Sequence, residues 1–504
     1  MTGAAFGTGG SADGGDGTDT LVMTAASAVT ASGTAAFEAK ISNFEKLTIG
    51  VVATTGTVAM NNLDDIAAIT VSGVDAGRVL TIGGVNSGVN VTFADALQTA
   101  TTVTLASDGT ADVANINLQT ANDASTHSAV ALTGFETMNI VSSDIETTRN
   151  LADAPNDIAI TKAPAPTVNV SGNAGGTITH TGTKVASLDA SGVTAGPIQW
   201  TSGALTVATT VKGGADNDIL SVATATKGAT MYGGAGNDQL TGDANGVNAL
   251  YGEAGNDTLT GGSKADTIDG GAGKDTYVGE LTEQAGSSTT VGMVINLGAE
   301  LSQSTVYGTT ANFLSSAAAT VAPNTAVYLY NGESTTNAVV VDTLVDIENA
   351  TGGSGTDYIV GSDAANTITG GAGADDMTGG KGADTFVFGA TDSVAASAQD
   401  GTVAGVATEF DVGDTITFGN GVDIITDFTA GEGGDVLKGV DAGVPTTAID
   451  VALGTTTGLA AGTTYFLSGT YVASTGVFTI TADGAAGSST LIIEGAGNAV
   501  TANT

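Results

Sequence analysis

Cysteine is absent from this 504-residue chain. No disulfide can staple it, and no thiolate can ligate a metal. Proline numbers only 6, which argues against a proline-rich linker protein. Positive charge is just as scarce. Lys and Arg total 12 against 52 Asp and Glu, for a net charge of −40. A nucleic-acid surface needs Lys and Arg to neutralise phosphate, so no such partner is expected. No apolar run reaches the roughly 18 residues of a transmembrane helix. The opening residues, MTGAAFGTGGSADGG, have neither a charged n-region nor an apolar h-region and do not read as a Sec signal peptide. Export would need another route, or a longer parent chain.

What is present points to a repetitive β structure. Apolar residues make up 41% of the chain, and glycine numbers 75. The apolar content is too high for disorder despite the acidity. Short Val/Ile/Thr runs between glycines suit many brief strands joined by tight turns.

Two blocks repeat with a period of nine. From Gly252 the chain reads GEAGNDTLT, GGSKADTID, GGAGKDTYV; from Gly352 it reads GGSGTDYIV, GSDAANTIT, GGAGADDMT, GGKGADTFV. Nonapeptides of the form G-G-x-G-x-D-x-U-x, with U a large apolar residue, build a parallel β-roll that binds Ca²⁺. Positions one to six form a turn and seven to nine a short strand. The apolar position eight (Leu240, Leu259, Ile268, Ile359, Ile368, Met377, Phe386) is expected inside the roll. The expected fold is all-β: a parallel β-roll or β-helix with additional β-rich segments.

Two nonapeptides complete one coil, so residues 18 apart stack on the same edge. Ca²⁺ takes six to eight oxygens, and glycine lets the backbone aim carbonyls at an ion. The position-six residues are therefore the candidate ligands: Asp218, Asp238, Asp257 and Asp275 on one edge, Asn248 and Asp266 on the other, then Asp357 with Asp375 and Asn366 with Asp384. Asp238 and Asp257 are 19 apart because the coil at 242–251 carries one extra residue. Asn248 and Asn366 bring less charge and are expected to make weaker sites. An isolated nonapeptide, GGDGTDTLV at 14–22, adds Asp19. The cofactor expected is Ca²⁺ at several sites, bound as part of folding.

These blocks resemble those of RTX proteins, calcium-binding exoproteins exported by type I secretion. The lead-in DTLVDIENA (342–350) and the trailing GVDIITDFTAGEGGDVLKG (421–439) are similar to segments that flank such rolls, with Asp423, Asp427, Phe428 and Asp435 in matching places. Within that group the whole chain most resembles surface-layer proteins of alphaproteobacterial type. The Thr/Ala/Gly-rich, Cys-free composition, the elements FEKLTI (44–49) and FETMNI (135–140), and SLDASGVTAG (187–196) before the first block carry this likeness. The resemblance implies a secreted structural protein that self-assembles at the cell surface, held to lipopolysaccharide by a domain not evident in this sequence. An RTX adhesin or matrix protein, or the carrier part of a type I-secreted enzyme, is the alternative.

No enzymatic activity is expected. His127 and His180 are the two histidines, neither in an H-E-x-x-H context. G-x-S-x-G does not occur. Trp200 suits a packed aromatic better than a sugar platform. Asp64-Asp65 and Asp375-Asp376 suit turns or Ca²⁺ ligation better than glycoside chemistry. Composition divides the chain into 1–200, Thr/Ala/Gly-rich and solenoid- or sandwich-like; 201–280, the first roll block; 281–351, a β-rich insertion; 352–388, the second roll block; and 389–504, a β-rich end with a candidate secretion signal.

Overall fold

The structure, a computed structural model, describes residues 10–63, 66–94, 101–120, 130–144, 156–160, 167–180, 185–222, 227–279, 291–299, 301–302, 320–330, 338–353, 356–373, 375–388, 396–399, 415–418, 423–427, 434–438, 464–472, 477–480 and 489–494. Two compact units divide between Asp275 and Thr276.

The first unit is a parallel β-solenoid. Its strands alternate between two sheets. One begins at Thr20–Met23, Lys46–Ile49 and Ala68–Val71 and reaches Ala249–Ala254 and Thr267–Asp269. The other begins at Gly56–Ala59 and Leu80–Val85 and reaches Gln239–Thr241 and Thr258–Thr260. Successive strands of each sheet pair in parallel register. Alternation along each strand sends every second side chain inward, and register stacks those residues into columns. Leu21, Leu47, Ile69, Val91, Ile116, Ile140 and Val170 form one such column. Ile178, Trp200, Leu220, Leu240 and Leu259 form another on the facing sheet. Trp200 is thus a core residue, 1% exposed, as its packing reading expected.

Coil length changes along the unit. Thr137 pairs with Thr167, 30 residues on, whereas Ala249 pairs with Thr267, 18 residues on. The nonapeptide rungs are therefore the short-coil end of a solenoid whose earlier coils carry longer corners. The compositional boundary at 200/201 falls inside the strand Ile198–Thr201, whose neighbours on both sides belong to the same sheet.

Two short helices interrupt the β pattern, Ala25–Ser32 and Ala35–Glu38, which the all-β reading did not foresee. The Thr24 side chain accepts the Ser27 N–H and caps the first helix. Its buried face is small, with Ala25, Ala28 and Ala31 inside. The helix packs on the Gly56–Ala59 strand, the first of its sheet, where a Cβ at Gly56 would strike Val29. Ser32 Oγ accepts the Ala59 N–H at 3.0 Å. A solenoid needs its end covered, and this helix covers one sheet of it.

The second unit repeats the same arrangement. Thr276–Val278, Asn349–Thr351, Thr367–Thr369, Thr385–Val387 and Val436–Lys438 pair in parallel. Val291–Asn296, Thr356–Val360, Asp376–Thr378 and Ile424–Ile425 form the facing sheet. The segment expected to be an insertion thus supplies rungs of its own at Val291–Asn296 and Asn349–Thr351. It also adds an antiparallel hairpin, Thr325–Tyr330 with Ala338–Val345. Buried Asp342 accepts the Tyr277 hydroxyl at 2.8 Å and the Tyr328 hydroxyl at 3.4 Å. Ala396–Gln399, Thr415–Phe418, Thr464–Val472, Val477–Ile480 and Ser489–Glu494 form a separate antiparallel sheet.

Candidate metal centres at the solenoid corners

Each nonapeptide places its position-six residue at a corner, immediately before a strand whose apolar residue plugs into the core. That geometry gives the two carboxylate oxygens different jobs. Along one edge of the first unit, Ile198 N–H donates to Asp218 Oδ1 at 2.6 Å, Asp218 N–H to Asp238 Oδ1 at 2.7 Å, Asp238 N–H to Asp257 Oδ1 at 2.7 Å, and Asp257 N–H to Asp275 Oδ1 at 2.8 Å. The 18–20-residue steps between these partners close a ladder in which each aspartate caps the coil before it. All four are buried.

The second oxygen faces the glycines. Asp238 Oδ2 and Asp257 Oδ2 are buried with no hydrogen-bond partner among the described residues. A Cβ built on Gly252 would overlap Asp257 Oδ2 and lie 2.5 Å from the Gly270 carbonyl oxygen, one coil on. A Cβ on Gly233 would likewise overlap Asp238 Oδ2 and lie 2.6 Å from the Gly252 carbonyl oxygen. Carboxylate and carbonyl oxygens thus converge where only a residue without a side chain fits. Two oxygens brought together in a buried place repel unless a cation lies between them.

Burial raises the affinity of these groups for protons. The Asp238 carboxyl is pushed up to about 7 by burial and by the nearby charges of Asp218, Asp257 and Glu253. Burial carries Asp218 to about 6 and raises Asp257. Among the described residues no three acidic or histidine side chains converge. A Ca²⁺ ion at these corners would therefore be held chiefly by backbone carbonyls, with a carboxylate oxygen from the turn. That donor set suits a hard cation.

The second unit carries the same ladder. Met293 N–H donates to Asp357 Oδ1 at 2.6 Å, Asp357 N–H to Asp375 Oδ1 at 2.8 Å, and Asn366 N–H to Asp384 Oδ1 at 2.8 Å. Burial lifts Asp357 to about 6 and also raises Asp384. The ladder continues into the trailing segment. Asp375 N–H donates to Asp423 Oδ1 at 3.0 Å and Asp384 N–H to Asp435 Oδ1 at 2.9 Å, while Asp427 accepts the N–H groups of Gly379 and Gly380, each at 2.8 Å. The motif resemblance marked Asp423, Asp427 and Asp435 but gave them no corner role. Their partners lie 47–51 residues away, outside any nine-residue period. Asp376, adjacent to Asp375, is the first residue of its strand and pairs in register with Tyr358.

The first coils show a related corner. Asp19 N–H donates to Glu45 Oε2 and Asp112 N–H to Glu136 Oε2, each at 2.8 Å. These glutamates are the second residues of FEKLTI and FETMNI, so the two sequence echoes are corners of equivalent coils. Asp19 Oδ2 and Glu136 Oε1 are buried without a hydrogen-bond partner among the described residues. Spacing alone missed Glu45 and Glu136 because these coils are longer than 18 residues.

A model of the RTX calcium-binding nonapeptide repeat, in four copies, matches residues 230–246, 248–281 and 351–386. These segments are RTX repeats and bind Ca²⁺. The matched segments contain Asp238, Asn248, Asp257, Asp266, Asp275, Asp357, Asn366, Asp375 and Asp384. Asp218 and Asp19 lie outside them, though Asp218 stands in the same ladder. No curated protein matches the chain.

His180 lies in the core, 2% exposed. Both ring nitrogens lack a hydrogen-bond partner among the described residues, and burial holds the imidazole below its ordinary value. His127 and the pair Asp64-Asp65 lie outside the described residues.

Proposed function

We propose that this chain is a secreted structural protein whose Ca²⁺-stapled solenoids assemble laterally into a layer at the cell surface. Proteins with RTX repeats are typically extracellular, where Ca²⁺ is plentiful. The observation that carries the reading is the extent of the repetitive frame. Parallel rungs run from Thr20 to Asp269 in one unit and recur in the other. A net charge of −40 gives such frames a need for divalent counter-ions where protomers meet. Type I export through the C-terminal region, an anchor to lipopolysaccharide and the absence of catalysis belong to the same proposal.

An adhesin is the second reading, and one feature favours it. An outward column on the first sheet runs in register through Asn115, Asn139, Asn169, Asp189, Lys212, Tyr232, Tyr251 and Asp269. Asparagine amides bridge successive rungs at 2.8 and 2.9 Å. The Tyr232 and Tyr251 rings stack with centroids 4.9 Å apart. A flat polar and aromatic strip of this kind suits a surface ligand.

Electron microscopy of the purified protein with and without millimolar Ca²⁺ separates the two. Ordered sheets appearing only with Ca²⁺ support the layer. Monomers that persist at high protein concentration in Ca²⁺ reject it.

A further inference from the structure

Asn248 occupies a position-six corner but does not present the chemistry of one. Its side-chain oxygen accepts the backbone N–H groups of Ala229 and Asp243, each at 3.0 Å. Two N–H donors on one side fix which end of the amide is oxygen. The nitrogen must then face the other way. It lies 2.7 Å from the Gly261 carbonyl oxygen, 2.9 Å from that of Asp243, 3.1 Å from that of Gly246 and 3.2 Å from Asp266 Oδ1. The whole side chain is 2% exposed.

The comparison with Asp257 is direct. Both residues use one oxygen to cap the coil before them. In both, the other terminal atom approaches the position-one glycine of the repeat and the position-one carbonyl of the next coil, Gly270 for Asp257 and Gly261 for Asn248. At Asp257 that atom is an oxygen facing an oxygen. At Asn248 it is an N–H donor in a cage of four oxygens, the kind of cage that receives a cation elsewhere. Asn366 differs from both. Its oxygen accepts the Ser362 N–H at 2.7 Å and remains on the side of its own position-one glycine, so that corner keeps an oxygen to offer.

We propose that the Asn248 amide replaces Ca²⁺ at its corner, its two N–H groups bridging the Gly261 and Asp243 carbonyls so that this rung closes without metal. The sequence reading of Asn248 as a weakened Ca²⁺ ligand is thereby replaced by a ligand-free staple. The extra residue in its coil fits this role, since it brings the Asp243 and Gly246 carbonyls onto the nitrogen. The rung at 229–266 then persists when Ca²⁺ is withdrawn, while the Asp218–Asp275 edge loses its counter-charge. The proposal rests on Ca²⁺ binding by the repeats and is independent of whether the chain assembles.

The test counts bound Ca²⁺ in the full chain by elemental analysis after gel filtration, and follows urea unfolding in EGTA. Asn248→Ala is expected to keep the wild-type Ca²⁺ count and to unfold at lower urea in EGTA. Asn248→Asp is expected to bind one additional Ca²⁺ per chain, and to be weaker than wild type in EGTA but not in Ca²⁺. If Asn248→Ala loses one Ca²⁺, the amide is a ligand and the proposal fails. An unchanged count in Asn248→Asp also overturns it, and that variant can be read in Ca²⁺ even where the alanine variant does not fold.

Discussion

Asp257 Oδ1 accepts the backbone N–H of Asp238 at 2.7 Å, one coil earlier in the solenoid. The same carboxylate leaves its Oδ2 buried beside Gly252, on the side of the Gly270 carbonyl oxygen one coil on. One side chain therefore joins two coils and holds half a metal site. Asp257→Ala should orphan a buried N–H and remove a charged acceptor, a loss of about 3 kcal/mol. Urea unfolding in saturating Ca²⁺ measures it. Asp257→Asn retains an acceptor for Asp238, so its unfolding midpoint in EGTA should lie above that of the alanine variant.

Removing Ca²⁺ should loosen the roll coils along the Asp218–Asp275 edge and lower their resistance to urea, with the Asn248 rung retained. Metal that binds only the folded chain stabilises it by about 4 kcal/mol per site at a thousandfold excess over Kd. Circular dichroism in EGTA is expected to show partial loss of β signal, recovered on adding Ca²⁺. A spectrum indifferent to EGTA would show that the corners do not need the ion.

Acid should affect the metal-free and metal-bound forms in opposite directions. Asp238, Asp218 and Asp357 are lifted from 3.8 to about 7, 6 and 6. In the metal-free fold these groups hold protons more tightly than in the unfolded chain, so their contribution to stability is greatest at low pH. It is lost as pH rises through 6 to 7. Protons also compete with Ca²⁺, so apparent Ca²⁺ affinity should fall as pH drops from 7.5 to 5.5. Thermal melts across that range, with EGTA and with Ca²⁺, give both slopes.

His180 should act with the opposite sign. Burial lowers its folded value below 6.5, so the unfolded chain takes up the proton first. Stability is full above pH 6.5 and is lost as pH falls through the folded value. His180→Leu is expected to flatten this acid limb while leaving the Ca²⁺ count unchanged, as melts at pH 5 and 7.5 would show.

Gly255 adopts φ of +140°, and a Cβ there would overlap the Gly236 carbonyl oxygen. Gly255→Ala should therefore destabilise by more than about 1 kcal/mol, with a lowered unfolding midpoint in Ca²⁺ as the readout.

The sequence made the short coils legible because their arithmetic is rigid. Nine residues return the apolar position to the core, and 18 return the aspartate to the same edge, so spacing alone pairs Asp257 with Asp275. Coils without fixed length hide the same logic. Glu45 and Glu136 serve their corners across coils of 26 and 24 residues, and Asp423 reaches Asp375 across 48. The Ala25–Ser32 helix reads as more Thr/Ala-rich chain, since its helical role is fixed by the edge it covers. Asn248 was legible as an exception to the aspartate rule, but which amide end faces the carbonyls depends on the donors at Ala229 and Asp243.

The corner ladder has a direction. Every carboxylate reaches back along the chain, and none of the ladder bonds described reaches forward. The buried position-six corner of each coil is therefore capped by the coil synthesised after it. Shortening the roll from its C-terminal side strips the carboxylate cap from each coil it exposes, whereas shortening it from the other side leaves those caps in place and frees N–H groups of a different kind, such as that of Asn237, which donates to Asn217 Oδ1 one coil earlier. Loss of the buried carboxylate caps should travel one way, toward the N-terminus.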